Sequence, residues 1–162
     1  MREALAVFIA ALLPLSEVRG AIPLGVVLGL SPAATLAAAV LGNMAVVPPL
    51  LALLSGLEAL LAKRLEAGGG FLHGLSSTYF KLVTRARIRA KPYVNRYGAL
   101  GLAVFTAIPL PLTGAWTASL AAHALGMDRR VALLSIWLGV LVAALIVAGL
   151  VGLLAGLPSS AP

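Results

Sequence analysis

Between Ala4 and Leu57 the chain carries only two charges, Glu17 and Arg19, both within Ser16-Glu17-Val18-Arg19-Gly20-Ala21-Ile22-Pro23. The flanks are apolar enough to lie in a bilayer, where a charged side chain costs several kcal/mol and marks a functional position by default. Pro14, Gly20, Pro23 and Gly25 crowd the same stretch and break helix rules. Buried charge beside interrupted backbone at membrane depth points to a binding or translocation site.

Composition places the whole chain in the membrane. It has 162 residues, 61% hydrophobic and 10% charged, with a mean hydropathy of +1.07. Soluble domains carry about 25% charged residues. The length suits one membrane domain, residues 1–162. Cysteine is absent, which excludes disulfides and thiolate metal sites. The net charge of +7 would ordinarily suggest nucleic acid, but the hydropathy argues against it. The basic residues are better read as topology signals and as contacts to anionic lipid headgroups. Arg2 followed by an apolar run imitates a signal peptide, yet the polar break lacks an A-x-A cleavage pattern.

Four apolar stretches, about 4–30, 32–57, 98–126 and 131–157, flank a basic segment at 58–97. The two pairs are repeats related by a shift of 97 without gaps: Leu13-Pro14-Leu15-Ser16 falls on Leu110-Pro111-Leu112-Thr113, and Leu28-Gly29-Leu30 on Leu125-Gly126-Met127. Val7-Phe8 meets Val104-Phe105, and Leu41-Gly42 meets Leu138-Gly139. Each repeat, 4–57 and 98–157, is a broken apolar stretch followed by a clean one. The clean ones are long enough to span a core of about 30 Å, with Pro48-Pro49 expected to kink or end the first.

The broken stretches admit two readings. Each is either a spanning helix interrupted by prolines or a pair of half-helices that meet at an unwound tip and return. Returning backbone is tolerated at membrane depth only inside protein or beside a water-filled cavity. Topology favours the hairpin. One crossing per repeat makes the repeats inverted, a common transporter plan. It also puts Lys63, Arg64, Lys81, Arg85, Arg87, Arg89, Lys91, Arg96, Arg129 and Arg130 on one side, the cytoplasmic one. The expected fold is therefore an all-α integral membrane protein with two inverted repeats. Each repeat is a re-entrant helical hairpin plus a transmembrane helix, and a basic amphipathic interfacial segment joins them. In that segment Leu75, Tyr79, Leu82, Ala86, Ala90 and Tyr93 form an apolar row opposite Lys81, Arg85 and Arg89.

Two positions apart, Glu17 and Arg19 would diverge by about 200° on a helix, whereas in an unwound tip both could enter one cavity. Glu17 is then a protonatable carboxylate and Arg19 an anion anchor; the plainer alternative is a structural ion pair closing the hairpin. The second tip, Ile108-Pro109-Leu110-Pro111-Leu112-Thr113-Gly114-Ala115-Trp116, is uncharged. The repeat sets Gly114 opposite Glu17 and Trp116 opposite Arg19. This tip offers backbone amides, the Thr113 hydroxyl and an aromatic wall, although Trp116 could equally mark the lipid interface. His123 reads as a packing residue before a proton relay, His73 as near-surface, and Asn43 as interhelical glue or cavity lining. No metal-ligand spacing, nucleophilic triad or nucleotide motif occurs, so no cofactor and no enzymatic activity are expected.

These two segments, E-x-R-G-x-I-P and P-x-P-x-T-G-A-W, resemble the signature segments of the small multi-drug export protein family. That family is in turn similar to the DedA/VTT group of membrane proteins, and the resemblance covers nearly the whole chain. It implies inverted re-entrant hairpins, dependence on the proton-motive force and translocation of lipids, including a polyprenyl phosphate. Carried over, Glu17 and Arg19 form the central pair, with Pro109, Pro111, Thr113, Gly114 and Trp116 as the opposite gate. The resemblance leads one to expect glycine where Leu112 and Ala118 stand.

The leading expectation is thus a proton-coupled transporter in the inner membrane, with segment 58–97 cytoplasmic, moving an anionic lipid or other amphipathic small molecule. Efflux of small drugs is one alternative and a non-transporting membrane scaffold another. One or two spanning helices per repeat enclose little, which suits a homodimer or larger assembly.

Overall fold

Helix boundaries follow the punctuation of the sequence. The computed structural model describes the backbone of residues 1–66, 71–109 and 113–155, and their side chains except at 55, 58–66, 71–76 and 153–155. Among these residues seven helices form and no strand: α1 (Arg2–Leu12), α2 (Glu17–Val27), α3 (Pro32–Glu66), α4 (Phe71–Tyr97), α5 (Ala99–Ala107), α6 (Ala115–Ala124) and α7 (Arg129–Ala155). The starts of α5, α6 and α7 trail those of α1, α2 and α3 by 97, 98 and 97 residues.

The repeat extends to the capping. Gly29 and Gly126, 97 positions apart, both take positive φ, at +71° and +67°. Each closes a Schellman turn: the Leu30 amide donates to the Gly25 carbonyl and the Met127 amide to the Ala122 carbonyl, both at 3.0 Å. Two residues later come the N-caps of the long helices. The Ser31 hydroxyl accepts from the Ala34 amide, and the Asp128 carboxylate from the amides of Arg130 and Val131.

Two helices are long and apolar enough to cross a membrane, α3 over Pro32–Leu54 and α7 over Arg129–Gly152. They run antiparallel. Pro32, Thr35 and Leu36 at the start of α3 share a cavity with Ala148, Val151 and Gly152 near the end of α7. Pro48 and Leu51 share one with Arg129 and Leu133, and between them the Trp137 indole donates to the Met44 carbonyl at 3.2 Å. Both helices turn large apolar side chains outward, Leu41, Leu53, Leu134 and Leu145 each at least 60% exposed. In water such faces would be liabilities; in hydrocarbon they cost nothing.

The expected break at Pro48-Pro49 does not end the first clean stretch: α3 passes through both prolines and continues to Glu66, beyond the boundary drawn at Leu57. Burial of Val47, Leu51 and Leu54 on either side holds the helix together, and proline is tolerated where neighbouring helices replace water around the freed carbonyls. The four short helices measure about 14–17 Å each at 1.5 Å per residue. α1 packs on α2 and on α3, and α5 on α6 and on α7. Gly42 brings α3 against the α1 backbone at Phe8, and Gly139, its repeat counterpart, brings α7 against α5 at Ala103.

The basic segment contains helix α4, as its periodicity predicts, but α4 is part of the bundle: Val83, Ala86 and Ala90 are buried and it packs on α5, α6 and α3. Leu82, assigned to the apolar row, is 47% exposed and Val83 takes its place on the packed face, while Ala86 and Ala90 stand where the row put them. Gly68-Gly69-Gly70, expected to be a joint, lies outside the described residues.

An alanine at Gly126 would meet no atom within 4 Å, so its cost is conformational, about 1–2 kcal/mol for a left-handed residue. Thermal unfolding in detergent should therefore show Gly126→Ala destabilised, while Gly149→Ala, equally uncrowded but within α7, stays neutral or gains slightly.

Candidate functional site

The interruption at 13–16 between α1 and α2 and the one between α5 and α6, described at 108, 109, 113 and 114, are joined by side chains that reach from one to the other. Glu17 and Arg19 do not lie in the unwound tip itself. They occupy the first turn of α2, where helical geometry alone would splay them apart. Glu17 resolves this with a φ of +48°, the one positive φ among the described non-glycine residues. A left-handed residue of this kind stores about 1–2 kcal/mol, and such strain persists only where surrounding contacts over-determine it.

Those contacts come from the second repeat. The Glu17 carboxylate is 5% exposed, lies against Gly114 and accepts the Trp116 amide at 3.3 Å, with the Ala115 amide also directed at it. These are the first N–H groups of α6, which lack partners within their own helix. A carboxylate there is favoured by both the hydrogen bonds and the helix dipole. Gly114 has to be glycine on steric grounds, because a Cβ would collide with the carboxylate.

Arg19 reaches the other side of the same tip. Its Nη2 donates to the Ile108 carbonyl at 2.9 Å and to the Thr113 hydroxyl at 3.1 Å, while Thr113 donates to Ile108 at 2.7 Å. Ile108 precedes Pro109 and is extended, with ψ at 120°, which directs its carbonyl out of α5. Arg19 Nη1 lies 3.9 Å from Glu17 Oε2, an electrostatic contact too long for a hydrogen bond. The Trp116 indole donates to the Leu12 carbonyl at 3.1 Å, satisfying the end of α1.

Of the residues singled out by sequence, Glu17, Arg19, Thr113, Gly114 and Trp116 thus meet in one cluster. Gly114 stands against Glu17, as the repeat demands, whereas Trp116 bonds to Glu17 and Leu12 and not to Arg19. Pro109 is exposed and acts through the conformation it imposes on Ile108. Pro111 and Leu112 lie outside the described residues. Ala118, where glycine was expected, is fully buried. Asn43 is buried with no hydrogen-bond partner for its Oδ1, which does not favour the glue reading. His123 is half-buried and lines a cavity with Arg129 and Leu51 at the opposite end of α6 from Trp116. The His73 side chain is not described.

Two participants escaped the sequence reading because they are backbone carbonyls, those of Leu12 and Ile108; the Ala115 and Trp116 amides are among those the second tip was expected to offer. Only Ile108 had a signal, its place before Pro109.

The described residues form an all-helical bundle with two helices long and apolar enough to cross a membrane and an acid–base cluster between opposed helix breaks, the architecture of a membrane protein. Residues 17–146 match the family described as "Putative small multi-drug export protein", and the chain belongs to that family. No curated protein and no solved structure matches it.

The collision at Gly114 is testable in a double-mutant cycle. Gly114→Ala should lower the unfolding temperature, and Glu17→Ala should remove most of that cost, giving a coupling of about 1 kcal/mol or more. Additive effects would show that the two positions do not touch.

Proposed function

We propose that the chain is a proton-coupled transporter that moves an amphipathic anion past the junction of the two tips, in the manner of the DedA-like proteins it resembles. One observation carries this reading: the buried Glu17 and the half-buried Arg19 lie 3.9 Å apart, and each also hydrogen-bonds the opposite tip. The pair is thus built into the junction between the tips, where a bridge serving one tip alone would not reach across. Here the neutral acceptors on Arg19, a carbonyl and a hydroxyl, are ones that an anionic oxygen outcompetes, since charge-assisted hydrogen bonds are about twice as strong. Protonation of Glu17 would remove the negative charge held by the N-terminus of α6 and loosen the clasp between the tips. Proton entry and anion release are thereby linked through one cluster.

The short helices support reading both broken stretches as re-entrant. At about 14–17 Å none crosses a core of about 30 Å, and α1 folds back on α2 as α5 does on α6. The antiparallel course of α3 and α7 supports inversion of the repeats. Helix α4, with Lys81, Arg85, Arg87, Arg89, Lys91 and Arg96 all exposed, is the cytoplasmic, anionic-lipid-facing element of this arrangement in the inner membrane.

A second reading, export of small drugs, takes its support from the family description. The two differ in substrate charge: the drug reading for cations needs Glu17 as the anchor, the anion reading Arg19.

In proteoliposomes, Arg19→Ala should reduce translocation of a fluorescent phosphatidylglycerol by about tenfold or more, the loss expected from one charge-assisted bond. Glu17→Gln should abolish its dependence on an imposed proton gradient. If both folded variants match the parent, the pair has no transport role. Retained activity on exchanging the two (Glu17→Arg with Arg19→Glu) would instead favour a scaffold.

Single cysteines at Ser31 and Arg129 test topology independently. An impermeant maleimide should label them from opposite sides, Arg129 from the cytoplasm; labelling of both from outside would restore two fully crossing stretches per repeat.

A further inference from the structure

A cavity of about 240 Å³ opens beside the site, between α2, the start of α3 and the end of α7. Its wall includes Ile22, Val26, Thr35, Leu36, Ala148 and Val151. Thr35 is the one residue with a polar side chain in that wall; its hydroxyl is buried without a hydrogen-bond partner and lies against Gly25. The lining therefore presents hydrocarbon. Such a space stays dry, since water needs polar partners.

Its position relative to the charged cluster is set by helix geometry. Arg19, Ile22 and Val26 stand at i, i+3 and i+7, on one face of α2. Val26 is about 10 Å further along the axis than Arg19. Ile22 is 2% exposed and forms the inner wall, while Val26 is 45% exposed at the mouth. A cation at one end of a stripe and a hydrocarbon-lined cavity at the other match the two ends of an amphiphile.

We infer that this cavity is the tail subsite of the transported molecule: it receives a hydrocarbon segment whose anionic head is held at Arg19. The inference rests on the anion reading of the cluster and adds that the substrate is recognised by its chain as well as its head.

The test uses the full chain in phosphatidylcholine vesicles and decyl phosphate carrying a diazirine at the sixth carbon. After irradiation, label should concentrate on Ile22, Val26, Ala148 and Val151 over the outward-facing Leu141 and Leu145. Ala148→Phe, which fills the cavity, should lower cavity labelling about tenfold, as expected when roughly two methylenes lose their burial. Val26→Phe should do the same from the opposite wall and guards against misfolding of the first variant, with monodispersity in detergent as the check on both. Arg19→Ala should lower cavity labelling equally and leave Leu145 labelling unchanged. Equal labelling of Leu145 and the cavity, or cavity labelling indifferent to both phenylalanines, means partition into the bilayer only and overturns the inference. Cavity labelling that survives Arg19→Ala also overturns it, because the chain site then works without the head site. The underlying reading fails separately, in the phosphatidylglycerol assay, if Arg19→Ala translocates normally.

Discussion

At membrane depth a backbone amide or carbonyl without a partner has no water to turn to, and each one left open costs several kcal/mol. Two helix breaks facing each other create many such groups. The structure satisfies them crosswise: the Glu17 carboxylate from the first repeat takes the opening amides of α6, and the Trp116 indole from the second takes the closing carbonyl of α1. Arg19 adds the Ile108 carbonyl at the end of α5. Each tip satisfies part of its own backbone, through the Leu13 carbonyl in the first and the Thr113–Ile108 bond in the second, and takes the remainder from the other. The packing of α1 on α3 and of α5 on α7 has to bring the tips together before the clasp can form, and the clasp in turn makes the breaks affordable.

Much of this was legible because the repeat is written in punctuation. Leucine and alanine matches carry little information in a chain this apolar, but Gly29 with Gly126 and Ser31 with Asp128 fall at a fixed offset and do the same mechanical work in both halves. They end one helix, reverse the chain and start the next. The offset also makes Gly114 the counterpart of Glu17, and the two are in contact.

What the sequence did not disclose follows from the limits of side-chain patterns. Helix geometry separates residues two apart, so Glu17 and Arg19 required either an unwound tip or some other device. The device is a single left-handed residue at the start of α2, which no composition announces because glutamate seldom adopts it. Pro48-Pro49 reads as a stop by local rules, yet the burial of Val47 and Leu51 overrides them. In α4 one member of the apolar row differs, Val83 for Leu82, since the two are equally apolar and only the packing of the neighbouring helices decides which faces inward. The cavity beside α2 is a product of three elements distant in sequence, and no local pattern encodes it.

The asymmetry of the site follows from its symmetry. Positions 17 and 114 are equivalent under the repeat, and the fold brings these equivalent positions into contact. Two equivalent positions in contact cannot both carry a long side chain, because each would occupy the space of the other. One must give way, and glycine is the residue that gives way completely. The carboxylate at position 17 then fills the vacated space and finds, at its end, the amide-rich helix start that the partner position provides. A second carboxylate at 114 would meet the first at close range in a medium with little screening, where like charges repel strongly. One charged tip and one bare tip are thus what a self-facing pair of repeats permits at its centre. Moving Glu17 off Gly114 would leave the opening amides of α6 without their acceptor, so the position of this carboxylate and the satisfaction of the opposite helix start are coupled.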